Sequence, residues 1–544
     1  MQPLAPHIPE ALARPAAHPS DPSARAGVQW IQTHLSHVFL TRDRVYKLRK
    51  AVDLGFLDFR ARAERNADCL RELRLNRRLA PDVYIGVAAV EPAGRAYRVA
   101  APAETIERED LEHVVVMRRL PAGSDALSLL ARGALHATHL DAVARLLASF
   151  HSAHGLGIPS PFTREAWLEA VCTPVRRVLE GLAAAARDGR LPLGSVRRLQ
   201  ARSDAFVADQ RAAFERRRRD GRAVDGHGDV HLQHVWFEPG RAERILIDCI
   251  EFSETLRRID AAAEVAFLAM DLRYRGRARL AERFLRVYAS ERDDYDGYRL
   301  IDWFVSYRAA VRALVAAQAS ADPSIDAEQR NAAGSSAGRH LALALRVLAP
   351  RPRGALLAVA GLVGSGKSSA AAVLADAVGG VVVASDRVRK ALHGLAPTDR
   401  SAASAGLYRD AEKDAVYAAL LERAAPVVES GRVAVLDASY AKESHRRAAL
   451  EWASQRALPF WLVETVCPAA VAIERLAHRE ALGTDPSDAG PALYGWSVEH
   501  FEPIRPAPAL EHRVLHTDAP AWRSALRRIV TELRAARAAA DPAP

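Results

Sequence analysis

The eight residues Gly361-Leu-Val-Gly-Ser-Gly-Lys-Ser368 limit what this chain can fold into more than any other segment. They match G-x-x-x-x-G-K-[ST] in full, behind an apolar run at 356–360 and ahead of a helical pattern at 368–377. Gly361, Gly364 and Gly366 let successive backbone N–H groups converge on phosphate oxygens. The helix that follows turns its positive end toward the same point. Lys367 then reaches the outer phosphates of a nucleotide, Ser368 offers a hydroxyl to Mg²⁺, and Ser365 and Ser369 complete the nucleotide-binding set. Around this unit, strands are predicted at 381–384, 433–436, 460–466 and 514–516. Helices are predicted between them at 407–429, 444–456 and 469–479, with a last one at 522–538. Strands alternating with helices imply a parallel sheet covered on both faces, an α/β layout spanning 355–540.

Three further positions in this half carry chemistry. Val433-Ala-Val-Leu-Asp437 ends an apolar strand in a carboxylate placed to hold Mg²⁺ directly or through water. Asp386 follows the strand at 381–384, with Arg389 three residues on. This spacing resembles the D-x-x-R of small-molecule and polynucleotide kinases of the P-loop class. The resemblance gives Asp386 the acceptor's hydroxyl proton and Arg389 an anionic group. Arg475 and Arg479 lead into the Gly/Pro/Ser-rich stretch 483–490, similar to the lid that closes arginines over a transferring phosphoryl group in such kinases.

The N-terminal half begins with short β-rich pieces at 38–40, 45–48 and 114–117 and turns helical after about residue 126, an α+β layout of small β lobe and large α lobe. Later come His227-Gly-Asp229-Val-His231-Leu-Gln-His234 and Ile245-Leu-Ile-Asp248, two strands apart across a turn at Pro239-Gly240. This constellation resembles the catalytic loop and metal-binding aspartate of aminoglycoside-phosphotransferase-like kinases, relatives of protein kinases. Residue by residue, the resemblance makes Asp229 the acceptor of the hydroxyl proton and Asp248 the Mg²⁺ ligand. His151 resembles the end of that family's L-x-x-x-H helix. Lys47 becomes the phosphate lysine and Glu72 its partner. Lys50 is the rival, but strict alternation sends it to the opposite face from Lys47. The chain departs from the family at His234, where the loop usually ends in Asn. Imidazole is a poor Mg²⁺ ligand, so His234 is expected to turn away, the alternative being that it coordinates a softer ion such as Mn²⁺. No G-x-G-x-x-G covers the phosphates.

At 544 residues the chain is too long for one ordinary core. Residues 1–28, rich in Pro, Ala and His, are expected to form a disordered tail, with a kinase-like domain at 29–348, a linker at 349–354 and the P-loop domain at 355–540. No 18-residue apolar stretch is present, so no membrane span is expected. Four widely spaced cysteines form no C-x-x-C pair and suit a reduced, cytoplasmic setting. The net charge of +10 is spread along the chain apart from Arg216-Arg-Arg-Arg219, which argues against nucleic acid as the partner. Of 76 basic side chains only six are lysine, so a lysine inside a phosphate motif stands out as a chosen point charge.

Taken together, residues 29–540 resemble bacterial fused proteins that join an aminoglycoside-phosphotransferase-like domain to a P-loop ATPase or kinase domain of the AAA, zeta-toxin or polynucleotide-kinase type. Gly55-Phe-Leu-Asp-Phe59 contributes to that match. The resemblance implies an enzyme with two ATP–Mg²⁺ sites, transferring phosphate to a hydroxyl of a small molecule. Two other readings stay open: a nucleotide-dependent regulator with an N-terminal pseudokinase, and a nucleic-acid end kinase.

Overall fold

Period-2 alternation sets the first sheet. In the computed structural model, which describes all residues except 1–3, 6, 54–56, 242–243, 396–398, 400–409, 483–489, 506–509 and 541–544, strands β1 (Gln29–Gln32), β2 (Ser36–Leu40), β3 (Arg44–Arg49), β4 (Tyr84–Ala93), β5 (Ala96–Val99) and β6 (Glu112–Arg118) pair antiparallel in the order β1-β2-β3-β6-β4-β5. Along β3, Tyr46 and Leu48 join Phe39, Val114 and Val116 in an apolar layer on one face. Val45 packs on the other face with Val115, Met117, Cys69 and Leu73. The last two belong to the helix Arg62–Asn76. Lys47 and Arg49, in phase with Val45, therefore point toward that helix.

Two compact units emerge. The first comprises Met1–Leu146, Ala153–Pro161 and Gly221–Leu268; the second comprises Leu147–Ser152, Phe162–Asp220 and Ala269–Pro544. In the first unit, β7 (Ala223–Asp225) pairs with β10 (Arg258–Asp260). The hairpin β8 (Val235–Phe237) and β9 (Arg244–Leu246) places the His227–His234 loop at its entrance and Asp248 at its exit.

The N-terminal segment is not the disordered tail its composition suggests. His7–Leu12 is helical, and Ile8, Leu12 and Ala17 cover the apolar layer of the sheet. Asp21 anchors the segment, accepting hydrogen bonds from the hydroxyls of Ser23, Thr41 and Tyr46 at 2.7, 2.7 and 3.2 Å. A few apolar side chains and one carboxylate with distant partners outweigh the Pro/Ala bias.

In the second unit, β11 (Ala355–Ala360), β12 (Val381–Ala384), β13 (Val433–Asp437), β14 (Phe460–Val466) and β15 (Glu511–His516) form an all-parallel sheet in the order β12-β13-β11-β14-β15. Every residue of β11 is buried, as expected of a strand with helices on both faces. Asp437 lies opposite Val359 and Ala384, so the glycine loop, Asp437 and the start of the helix Ser385–Leu392 all leave the sheet at its carboxyl edge. That edge is where open α/β sheets bind ligands. The expected helix at 407–429 runs Asp410–Glu429, its first three positions lying outside the described residues.

The expected boundary at 349–354 does not separate these units. Helices Ala278–Arg292 and Ile301–Ala319 group with the parallel sheet, because Arg432, at the foot of β13, donates to Glu282 at 2.8 Å and to Asp302 at 2.9 Å. Arg351 reaches Asp302 at 3.1 Å, and a Cβ on Gly354 would sit 2.4 Å from the Arg432 carbonyl, so this stretch is packed tight. Among the described residues, no helix is long and apolar enough to cross a membrane.

Candidate functional sites

The first unit builds a cleft around Lys47. Its ammonium donates to Glu72 at 2.6 Å and to Asp248 at 2.8 Å. Burial opposes its charge, but Asp248 and Glu72 hold its pKa well above the ordinary lysine value. Lys50 follows the end of β3 and makes neither contact. Lys47 in turn holds Asp248 below the usual carboxylate range. Asp248 sits at φ 66°, a left-handed conformation costly for a residue with a Cβ, and its N–H donates to the Tyr84 hydroxyl at 3.1 Å.

Hydrogen-bond partners assign the histidine tautomers. His227 Nε2–H donates to the Ile247 carbonyl at 2.9 Å, and its Nδ1 accepts the Asp229 N–H. Its backbone N–H and that of Gly228 both donate to Glu264. His231 Nδ1 accepts the Gln233 N–H, leaving Nε2–H for Asp229 Oδ2 at 3.5 Å. His234 Nδ1–H donates to the Asp229 carbonyl at 2.9 Å, and its Nε2 stands 3.5 Å from Asp248 Oδ2. His234 is therefore not turned away as expected: the short loop carries it between the two aspartates. Burial pushes the His227 pKa down to about 4 and lowers that of His234. Burial works against a charged Asp229, yet the His231 hydrogen bond and the neighbouring imidazoles keep its carboxyl below the usual range. Ligand atoms of Asp229, His231 and His234 lie within 4.8 Å of one another. With Asp248 beside His234, this makes two carboxylates and two imidazoles next to the Lys47 ammonium, a donor set that fits a divalent cation with phosphate.

Sequence reasoning missed the other side of this cleft. Arg49 donates to Asp68 and Glu72, each at 2.7 Å, and to Glu251. The available signals were spacings: Arg49 two residues from Lys47 on a strand, and Asp68 four residues from Glu72 on a helix.

The second unit builds the other candidate site. Gly361 and Gly364 have φ of 138° and 76°, and a Cβ at either would lie within 2.5 Å of a backbone oxygen, Thr465 or Ala472. Gly366, at φ 88°, ends the loop as the residue before the helix Lys367–Val378, which starts one position earlier than the expected 368. A Cβ on Gly366 would lie 3.2 Å from the Thr517 hydroxyl, so its left-handed backbone and its close neighbour both call for glycine. Ser365 is buried, its hydroxyl 2.7 Å from that of Thr465. Lys367 donates to the Leu362 carbonyl at 2.8 Å, curling over the loop, while Ser368 and Ser369 are exposed beside it. Burial lowers the Lys367 pKa, with Asp437 and Asp386 as the nearest opposing charges and Arg479 adding to the lowering. Asp386 pairs with Arg389 at 2.6 Å. The loop suits a polyphosphate, and Ser368 with Asp437 supply oxygens suited to Mg²⁺.

Arg475 departs from its expected lid role. It donates to the Thr517 hydroxyl and carbonyl, both at 3.0 Å, and the Thr517 hydroxyl donates to the Ser365 carbonyl at 2.7 Å, so Arg475 braces the loop from behind. The expected lid stretch lies outside the described residues except for Gly490, as do Gly55 and Phe56. His151 is buried against the Tyr288 hydroxyl at 2.7 Å. In the basic run, Arg217 is buried against Asp294 at 2.6 Å and Arg218 pairs with Glu215 at 2.8 Å.

Compared with known proteins, residues 39–301 match the model of the phosphotransferase enzyme family, and residues 356–504 match an AAA domain model. The uncharacterized protein Rv2004c of Mycobacterium tuberculosis is 32% identical over 461 residues, covering 84% of this chain and 86% of that one. The uncharacterized protein Mb2027c of Mycobacterium bovis matches to the same extent. Among solved structures, a gluconokinase from Sinorhizobium meliloti 1021 aligns at 23% identity over 34% of this chain and 99% of its own, TM-score 0.24. A choline kinase from Cryptosporidium parvum Iowa II aligns at 11% identity over 59% and 92%, TM-score 0.36.

Proposed function

Because this chain belongs to the family of fused proteins that join an aminoglycoside-phosphotransferase-like kinase domain to a P-loop kinase domain, we propose that its kinase-type activity runs at two ATP sites, each passing phosphate to a hydroxyl of a small molecule. The observation that carries this is a lysine fixed at each phosphate motif: Lys47 held between Glu72 and Asp248, and Lys367 curled over the glycine loop onto the Leu362 carbonyl.

In the first unit, Lys47 orients phosphate and Glu72 holds Lys47. Asp229, ionised and beside His231, takes the proton from the acceptor hydroxyl as its oxygen bonds to the γ-phosphorus and the bond from that phosphorus to the β-phosphate oxygen breaks, releasing ADP. Asp248 is the residue that would hold a divalent cation there, which when bound neutralises charge on the phosphates. In the second unit, backbone N–H groups of the glycine loop, Gly366 among them, and Lys367 bind the phosphates, with Ser368 and Asp437 as the cation's oxygens. Asp386 takes the acceptor's proton, Arg389 holds an anionic part of it, and Arg479 acts over the phosphates.

The test is a metabolite screen for ATP-dependent phosphorylation with intact protein, Asp229→Asn and Lys367→Ala. Loss of one set of products in each variant supports two active sites. Products lost only in Lys367→Ala would make the first unit a regulatory pseudokinase. Phosphorylation of polynucleotide ends, with retention that falls steeply with salt, would replace the small-molecule reading.

A further inference from the structure

The three histidines of the 227–234 loop differ in what their nitrogens have left to give. His227 and His231 each use both ring nitrogens on backbone groups or Asp229. His234 spends Nδ1–H on the Asp229 carbonyl, so Nε2 presents a bare lone pair. That lone pair faces Asp248 Oδ2 at 3.5 Å, and Asp248 Oδ1 is already fixed by Lys47. Two acceptors held face to face repel each other unless a cation lies between them.

The separation itself is informative. With the ring proton on Nδ1, Nε2 has nothing to donate across it, so it is not a hydrogen bond. Two metal–ligand bonds of about 2.1 Å, opened by roughly 90–110°, place their donor atoms about 3.0–3.4 Å apart. The gap between Nε2 and Oδ2 is close to one edge of such a coordination polyhedron. Asp229 Oδ2 lies 3.5 Å from His231 Nε2 and 3.4 Å from His234 Nδ1, so it borders the other nitrogen of His234 and not this pair.

We propose that His234 Nε2 and Asp248 Oδ2 jointly bind a divalent transition metal ion, so that the first unit selects Mn²⁺ or a similar imidazole-accepting ion over Mg²⁺. Magnesium demands hard oxygen ligands, whereas Mn²⁺, Co²⁺ and Zn²⁺ accept imidazole nitrogen. A His in the place of an amide thus alters which metal works, without removing the site. The oxygen-only set at Ser368 and Asp437 keeps its Mg²⁺ character, so the two units differ in metal demand. The arm of the test run without nucleotide stands alone; only the arm with nucleotide rests on the phosphotransfer reading.

The experiment is pulsed EPR on the full-length protein loaded with Mn²⁺, with and without a non-hydrolysable ATP analogue. Directly bound imidazole gives a ¹⁴N modulation, and the oxygen ligands of the second unit give none. The expected result is ¹⁴N coupling in the native protein, lost in both His234→Asn and Asp248→Asn. Competition with Mg²⁺ should show a Mn²⁺ preference falling about tenfold or more in His234→Asn. Circular dichroism establishes that each variant is folded, and the second variant serves if the first is not. Mn²⁺ bound without ¹⁴N coupling, or coupling that survives His234→Asn, overturns the inference. Coupling without nucleotide binding in the first unit would leave the metal site standing and remove the kinase reading instead.

Discussion

Glu72 carries two cations at once, Lys47 on one carboxylate oxygen and Arg49 on the other. Arg49 is 3% exposed and Glu72 fully buried, so their charges are hidden from water and depend on each other. Arg49 also ties Asp68 and Glu251 into the cluster. Burial pushes the Glu251 pKa up, while Arg49 beside it favours its charged form. Arg49→Met would leave Glu72 and Asp68 buried without their main counter-charge, a loss of roughly 3–5 kcal/mol. It would also free Glu72 from its place beside Lys47. The expected outcome is an earlier urea midpoint together with a lower transfer rate in the first unit. Arg49→Lys, a point charge without the fork, should recover only part of both. Unchanged stability in Arg49→Met would make the residue a bystander.

His227 gives a pH dependence of definite sign. Its folded pKa of about 4 lies below the ordinary value of 6.5, because burial disfavours its charge and a proton on Nδ1 would meet the Asp229 N–H. Between those values the unfolded chain takes up a proton that the folded one refuses, so stability falls as pH drops. The slope is about 1.4 kcal/mol per pH unit, or about 2 kcal/mol from pH 6.5 to 5. Urea unfolding at pH 7 and pH 5 measures it. His227→Gln should flatten the slope; an unaltered slope would assign the acid sensitivity to other groups.

At the scale of elements, one helix holds both arms of the second site. Ala278–Arg292 presents Arg283 and Arg286 to Asp376, at 2.9 and 2.5 Å, near the far end of the helix Lys367–Val378. Its Glu291 takes Arg387, beside Asp386, at 3.0 Å. Tyr295, just beyond, donates to the Val382 carbonyl in β12. The P-loop sheet is therefore not closed without these helices. A fragment 353–544 exposes Asp376, Arg387 and Arg432 without partners and is expected to be protease-sensitive and less stable than the same segment in the intact chain. A fragment that unfolds cooperatively at the intact protein's midpoint would contradict this. Arg432→Ala in the full chain, leaving Glu282 and Asp302 under-compensated, should cost on the order of 3 kcal/mol.

The same contacts show what the sequence could and could not reveal. Strands and helices of the parallel sheet are written in local periodicity, and their observed bounds fall within a few residues of the expected ones, as at β12 and β14. The pairing of Lys47 with Glu72 was legible because the family resemblance names both partners. The grouping of Ala278–Arg292 with β13 was not, because it rests on Arg432 finding Glu282 across 150 positions. Arg49 was hidden for a related reason: one arginine in so arginine-rich a chain carries no motif, and only its burial beside three carboxylates marks it. Ile8 and Leu12 were too few to register against a Pro/Ala-rich background, though they lie one helical turn apart.

For the whole molecule, the two lysines predict two nucleotide sites that differ in their response to alkali. In the free protein Lys47 is compensated by Asp248 and Glu72 and keeps its proton well above the ordinary lysine range. Phosphate arriving there competes with Asp248 for the ammonium. Lys367 rests on a neutral carbonyl, and burial lowers its pKa. Nucleotide phosphates are then its best available counter-charge, and binding favours the protonated form. As pH rises, Lys367 loses its proton first, so affinity at the glycine loop weakens while affinity at Lys47 holds. Calorimetric titration with a non-hydrolysable ATP analogue should show two sites near neutral pH, and one in each of Lys47→Ala and Lys367→Ala. Repeated at about pH 10, near the ordinary lysine pKa, the site left in Lys47→Ala should weaken several-fold and the site left in Lys367→Ala should change little. Parallel weakening of both sites would show that the environments of the two lysines do not set their phosphate affinity. A single site in the native protein would remove one of the two lysines from nucleotide binding altogether.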